Sequence, residues 1–267
     1  MFVGETTLEL GLAGKAAVIT GASRGIGAAI AAELAREGVH VCLVARDHAK
    51  LQEVAAGLAS NTVRTAVHAA DLREPNAAAA AVATAVAAFG RLDILVNNAG
   101  ATKRADFFTL TDDDFHDGFE LKFHGAVRMT RAAWPHLCAT RGNIINIAGV
   151  GAHEGSAEFT IGGPVNVALL NFTKAMAAIG MQQGVRVNAI NPGLIATDRF
   201  NHNVERVMRD NAFTWDQAIA QRLAAHRTTR VGRPEEIGTF AAYLASEKAA
   251  YIQGALIDID GGSTRAL

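Results

Sequence analysis

Apolar runs of strand length alternate with Ala-rich helical stretches along nearly the whole chain, and this order constrains the fold more than any other feature. Ala16 to Thr20, Val39 to Val44, Arg64 to Ala69, Leu92 to Val96, Asn143 to Ile147, Val185 to Ile190 and Leu256 to Ile259 read as seven strands. Between them, Gly25 to Glu37, Asp47 to Ala59, a segment opened by Glu74-Pro75 and ended by Gly90, Asp112 to His136, and Pro164 to Gln182 read as helices. Continuous apolar runs mark strands buried on both faces. The alternation predicts a doubly wound α/β fold: a parallel sheet of about seven strands with helices on both sides. No repeat, linker or low-complexity tract interrupts the 267 residues, so residues 1–267 are expected to form a single domain. The pattern breaks once, between Thr197 and Arg230, in a polar, partly helical stretch placed where a substrate lid would sit.

Composition narrows the class of protein. Hydrophobic residues make up 50% and charged residues 19%, which is enough apolar side chain for a sizeable core. The 25 basic and 26 acidic residues leave a net charge of −1 and no basic block, so nucleic acid and anionic membranes are not expected partners. Cys42 and Cys138 are too isolated for a disulfide framework or a CxxC metal site, and no other spacing suggests a metal. Cys42 lies inside an apolar run and is expected in the core. The N-terminus lacks the basic-then-apolar pattern of a secretory signal, and no uncharged apolar stretch has spanning length. The expected location is the cytoplasm.

The first strand runs into Gly21-Ala22-Ser23-Arg24-Gly25-Ile26-Gly27 and then a helix. Glycines between a strand and a helix let the backbone approach a pyrophosphate, whose charge meets the helix N-terminus. The spacing is GxxxGxG. The second strand ends in Ala45-Arg46, with no acid where an NAD site would place one for the ribose 2′-hydroxyl. Arg24 and Arg46 instead offer two guanidinium groups to a 2′-phosphate, which selects NADP(H) as the expected cofactor. The alternative is two solvated surface arginines. Asp47 is read as the cap of the next helix.

Taken with Asn97-Asn98-Ala99-Gly100 after the fourth strand, these residues resemble the short-chain dehydrogenase/reductase family. The likeness runs from about Leu12 to Gly262. Asp71-Leu72 looks like the family's adenine-contacting pair, and Pro192, Gly193, Ile195 and Thr197 look like its nicotinamide-holding segment. Gly232-Arg233-Pro234 and Asp260-Gly261-Gly262 match its C-terminal pattern. The resemblance implies a Rossmann fold, a small-molecule substrate and commonly a homo-oligomer, a dimer or tetramer.

In that family a Tyr phenol moves the proton, a Lys four residues on lowers its pKa, a Ser holds the substrate oxygen and an Asn organises a water relay. Aligned on the flanking strand and helix, the Ser place falls on Gly149, the Tyr place on Gly162, the Lys place on Asn166 and the Asn place on Lys122. The only tyrosines are Tyr243 and Tyr251, and no Lys stands between Lys122 and Lys174, so a register shift restores nothing. Pro164 is expected to start the helix just after Gly162-Gly163 and leave that place flexible. Each positioned acid–base group contributes about 10²–10⁴-fold, so this chain cannot be an ordinary reductase of that mechanism.

Two residues could stand in. Lys122 shares an apolar helical stripe with Phe115, Phe119, Ala126, Met129 and Ala133. It either snorkels to water or enters the space of the missing Lys, where desolvation would lower its pKa. His153 follows the fifth strand beside Glu154 and Ser156, and is either a proton donor or a solvated loop residue. Asp112-Asp113-Asp114 is read as helix capping. Phe200, Met208, Phe213 and Trp215 are candidate apolar walls for a substrate, or ordinary packing residues. The favoured reading is an NADP(H)-dependent oxidoreductase with a non-standard site. A nucleotide-binding protein without catalysis, and a lyase or isomerase on the same fold, are the alternatives.

Overall fold

The computed structural model describes residues 9–60 and 62–265. Seven strands form one parallel sheet: β1 (Ala16–Thr20), β2 (His40–Ala45), β3 (Thr65–Ala69), β4 (Ile94–Asn97), β5 (Asn143–Ile147), β6 (Arg186–Pro192) and β7 (Leu256–Ile259), in the order β3-β2-β1-β4-β5-β6-β7. The order reverses between β1 and β4, which opens a crevice at the carboxyl ends of those strands. All seven expected strands are present, shifted by at most two residues at their ends.

Helices α1 (Gly25–Arg36), α2 (His48–Leu58) and α9 (Pro234–Ala245) cover one face, with Ile30, Leu34, Leu51, Ile237 and Leu244 packed on Ile19, Leu43 and Val96. Helices α3 (Ala77–Phe89) and α5 (Gly125–Thr140) cover the other, with Val82, Met129 and Leu137 packed on Val18, Leu95 and Ile144. Helix α6 (Gly162–Gln183) extends this second layer over β5 and β6. Cys42 is fully buried, and burial pushes its thiol up to about 12, which makes it an inert packing group.

Several local expectations change. Glu74-Pro75 lies in a turn, and α3 begins only at Ala77. The expected long helix is α4 (Asp112–Phe119), a π-helical turn at Glu120–His124 and then α5, which runs on to Thr140 despite Pro135. Thr111 caps α4 with Asp114 completing a capping box, so the Asp triplet is indeed at a helix start. Helix α6 begins at Gly162 itself and Gly162 is buried, so Pro164 does not set the boundary. Pro164 sits in the first turn, where its missing N–H has no helical partner to lose. Asp47 caps α2 by accepting from the Lys50 N–H.

The irregular stretch forms α7 (Asp198–Asn211) and α8 (Trp215–Ala225). A bridge between Ile195 and Gly232 ties its two ends together at the carboxyl edge of the sheet. Phe200, Val204 and Ala218 form a small core between the two helices, packed by Met208 and Phe213. Among the described residues no helix is long and apolar enough to cross a membrane.

Candidate active site

A cleft of about 1600 Å³ follows the carboxyl edge of the sheet from β3 to α8. Its floor is the glycine turn. Gly21 and Gly25 have φ of +67° and +58°, which favours glycine at both. A Cβ on Gly27 would lie 2.4 Å from the Gly21 carbonyl oxygen, so only glycine lets α1 close on the turn. The loop after β4 is fastened to it: Thr20 Oγ1 accepts from the Asn98 and Ala99 N–H groups, and Asn98 Nδ2 donates to the Thr20 and Gly21 carbonyls. Helix α1 has no side-chain cap at Arg24, so its first N–H groups remain for an anionic ligand.

Ser23, Ile26, Asp71, Leu72, Gly100, Pro192, Gly193, Ile195 and Thr197 line the same cleft. Gly27 does not; it packs beneath. Arg46 lines the cleft with no ion-pair partner among the described residues, whereas Arg24 bonds Asp198 of α7 at 3.0 Å. Burial would raise the Asp71 carboxyl, but the N–H and guanidinium of Arg73, with Arg46 nearby, hold it below its ordinary value.

Lys122 occupies the π-helical turn and does not snorkel. Its Nζ donates to the Ala148 carbonyl oxygen at 2.7 Å and to Asn166 Oδ1 at 2.6 Å. Asn166 is buried on α6, and its Nδ2 donates to the Gly149 carbonyl oxygen at 3.4 Å. The stem of Lys122 crosses the glycine of the β4 loop so closely that a Cβ on Gly100 would lie 2.8 Å from its Cδ. Desolvation, with repulsion from Arg199, lowers the ammonium to about 7. An ammonium has three donors, and two are committed. A neutral amine would keep both bonds and turn its lone pair to the cleft. Proton gain and loss therefore cost this site neither hydrogen bond.

Gly149, Gly162 and Asn166 are near one another, but Gly162 is screened from the cleft. The Phe159 ring lies on it, and a Cβ at Gly162 would fall 2.0 Å from ring atoms. Arg104 stacks on Phe159 at 4.0 Å from the ring centroid. His153 is no free loop residue. Its Nε2 lies 2.9 Å from Asp258 Oδ1, which also accepts from Asn191 Nδ2. Glu154 and Ser156 line the cleft beside it. Of the candidate walls, Phe200 faces the cleft, while Met208 and Phe213 pack inside the α7–α8 pair and Trp215 is half-exposed. Arg104, Arg199 and Arg222 also face the cleft, and sequence reasoning passed over them. For Arg199 and Arg222 the only signal was the arginine content of the irregular stretch; Arg104, in the loop after β4, had none. Among the described residues no cluster of three or more His, Cys, Asp or Glu could hold a metal.

A doubly wound sheet with an anion-ready glycine turn at its switch point defines a dinucleotide-binding protein. Comparison with known proteins is specific. The family model described as enoyl-(acyl carrier protein) reductase matches residues 21–264. The oxidoreductase UcpA of Escherichia coli is 34% identical over 259 residues, covering 95% of each chain. The short-chain reductase protein NovJ of Streptomyces niveus is 34% identical over 247 residues, covering 92% of each. The crystal structure of L-sorbose reductase from Gluconobacter frateurii, complexed with NADPH and L-sorbose, superposes with a TM-score of 0.92 at 35% identity, covering 97% of this chain and 100% of that one. The chain belongs to the short-chain dehydrogenase/reductase family of oxidoreductases.

Proposed function

We propose that this protein is an NADP(H)-dependent oxidoreductase acting on a carbonyl or hydroxyl compound, with Lys122 in place of the family's Tyr–Lys pair. The observation that carries the reading is the Lys122 ammonium, held by Ala148 and Asn166 at the end of the cleft bounded by Gly100, Gly149 and Pro192. The uncapped N-terminus of α1 and the turn at Gly21, Ser23, Gly25 and Ile26 would hold the pyrophosphate. Arg46, assisted by Arg24, would hold the 2′-phosphate, Asp71-Leu72 the adenine, Asn98 to Gly100 the adjoining ribose, and Pro192, Gly193, Ile195 and Thr197 the nicotinamide. The cofactor, when bound, supplies or accepts the hydride.

Everything else falls to the chain. Lys122 Nζ donates its third proton to the substrate oxygen as negative charge develops there, and recovers it afterwards from solvent. In the reverse direction the neutral amine accepts the hydroxyl proton. The α7–α8 pair closes over the substrate as a lid. His153, oriented by Asp258, serves as a second proton-handling group at the mouth of the cleft. Assembly with further copies of this chain belongs to the same proposal and is read by light scattering.

The deciding experiment titrates the protein with NADPH and NADH, following nicotinamide fluorescence, before and after Arg46→Ala. NADPH is expected to bind the wild type at least about tenfold more tightly than NADH, and Arg46→Ala is expected to erase the difference. Folded protein that binds neither cofactor would sink the proposal. Transfer of deuterium from labelled NADPH to a carbonyl compound then separates redox turnover from non-redox chemistry. Unchanged turnover in Lys122→Met would remove the role assigned to that residue.

A further inference from the structure

Arg104, Lys122, Arg199, Arg222 and Arg227 all line the cleft, and of its acids Glu154 and Asp198 lie outside the ends of β2 and β3. Asp198 is already paired with Arg24. Arg104, in the loop after β4, rests on the Phe159 ring, and Arg222, on α8, lies 5.9 Å from the Phe200 ring centroid. Neither has an acid partner among the described residues. Glu158, whose charge acts on both, is bonded to Arg206 at 2.8 Å. The Nε of Arg222 is buried with no hydrogen-bond acceptor. Arg104 is exposed to solvent and Arg222 is half-buried, and each repels the other's charge. A guanidinium keeps its charge in proteins. An anion seated between the two would offer the acceptor that Arg222 Nε lacks.

We propose that Arg104 and Arg222 form a subsite for an anionic group, a carboxylate or a phosphate, carried by the substrate at a distance from its reacting carbon. Phe159 and Phe200 wall the apolar body between that group and Lys122. The substrate class is thus an oxo acid, or a phosphorylated ketone or alcohol, in place of a neutral carbonyl compound. The assignment rests on the reductase reading of this cleft and adds the charge of its substrate. It also gives Phe159 a purpose. The ring that covers Gly162 presents Arg104 to the ligand.

The test is calorimetric and needs no turnover. The protein, with and without NADPH, is titrated with oxo acids of increasing chain length, from pyruvate to an oxooctanoate and benzoylpropionate. Each is paired with its methyl ester, and dihydroxyacetone phosphate is paired with dihydroxyacetone. At least one acid is expected to bind about tenfold or more tightly than its ester. Arg222→Gln and Arg104→Gln are each expected to remove most of that margin, leaving ester and NADPH affinities unchanged. A phosphate margin larger than every carboxylate margin assigns the subsite to phosphate, and the reverse assigns it to carboxylate. Equal binding of acids and esters throughout the panel, or a margin that survives both substitutions, overturns the proposal. Loss of NADPH binding in the wild type instead overturns the reductase reading, because the acid–ester margin is also measured without cofactor.

Discussion

At the scale of single residues, the proposed role of Lys122 is the most directly testable. With its ammonium lowered to about 7 by desolvation and Arg199, competitive acylation followed by peptide mass spectrometry is expected to give a midpoint near 7. Exposed lysines titrate near 10.4. In the proposed role carbonyl reduction would use the protonated form, so its rate is expected to fall as pH rises through about 7, while alcohol oxidation rises over the same interval. A second expectation concerns Gly162. Because the Phe159 ring occupies the space above it, Gly162→Tyr with Asn166→Lys is expected to destabilise the protein and restore no turnover. Overpacking costs about 1–3 kcal/mol or more. A rise in activity in that double variant would show that the ring yields easily. That Gly162 and Asn166 stand where the resemblance would place Tyr and Lys is a reading of the sequence alone. What covers Gly162 was not legible there, since Phe159 reaches Gly162 by folding back three residues and no spacing rule announces that.

Among the elements, the glycine turn was the most readable. Strand, turn and helix are contiguous, and φ above zero at Gly21 and Gly25 is a local demand. Gly27→Ala is expected to separate α1 from the turn, lowering both thermal stability and NADPH affinity, the latter by about tenfold or more. Fluorescence titration and a melting curve read the two together. The helix boundaries were less legible. Asp112 to His136 shows an uninterrupted helical stripe, yet the structure inserts a π-helical turn at Glu120–His124. Arg128 bonds Glu120 across that turn, and Lys122 gains its inward direction there. An extra residue in one turn leaves almost no periodic trace, and such turns recur at functional sites. The α7–α8 pair was seen only as an irregular stretch, because its apolar residues serve a private core of Phe200, Val204 and Ala218.

At the scale of the whole molecule, stability and titration are linked. Between about 7 and 10.5 the unfolded chain holds a proton on Lys122 that the native state has released. Native stability therefore rises with pH across that window and reaches a plateau above it. The stability of wild type relative to Lys122→Met is expected to increase by about 2–4 kcal/mol from pH 7 to pH 10, measured by urea denaturation. At the centre of the sheet, Leu95→Ala should cost about 2–5 kcal/mol, since Leu95 is fully buried between β1 and β5.

The sequence alone determined the sheet, because strand-length runs alternating with helical stretches have few other homes, and the central strands β1, β4 and β5 are apolar enough to be buried on both faces. It determined the glycine turn, because backbone freedom is written residue by residue. It also confined the tyrosines to positions 243 and 251. Only the tertiary structure decided which way Lys122 points, what covers Gly162 and which arginines share a cleft. Those answers depend on Lys122 meeting Asn166, Phe159 meeting Arg104 and Arg222 of α8 reaching the cleft that the loop after β4 also lines. Each is a contact between distant segments that exists only once the sheet has brought their ends to one edge.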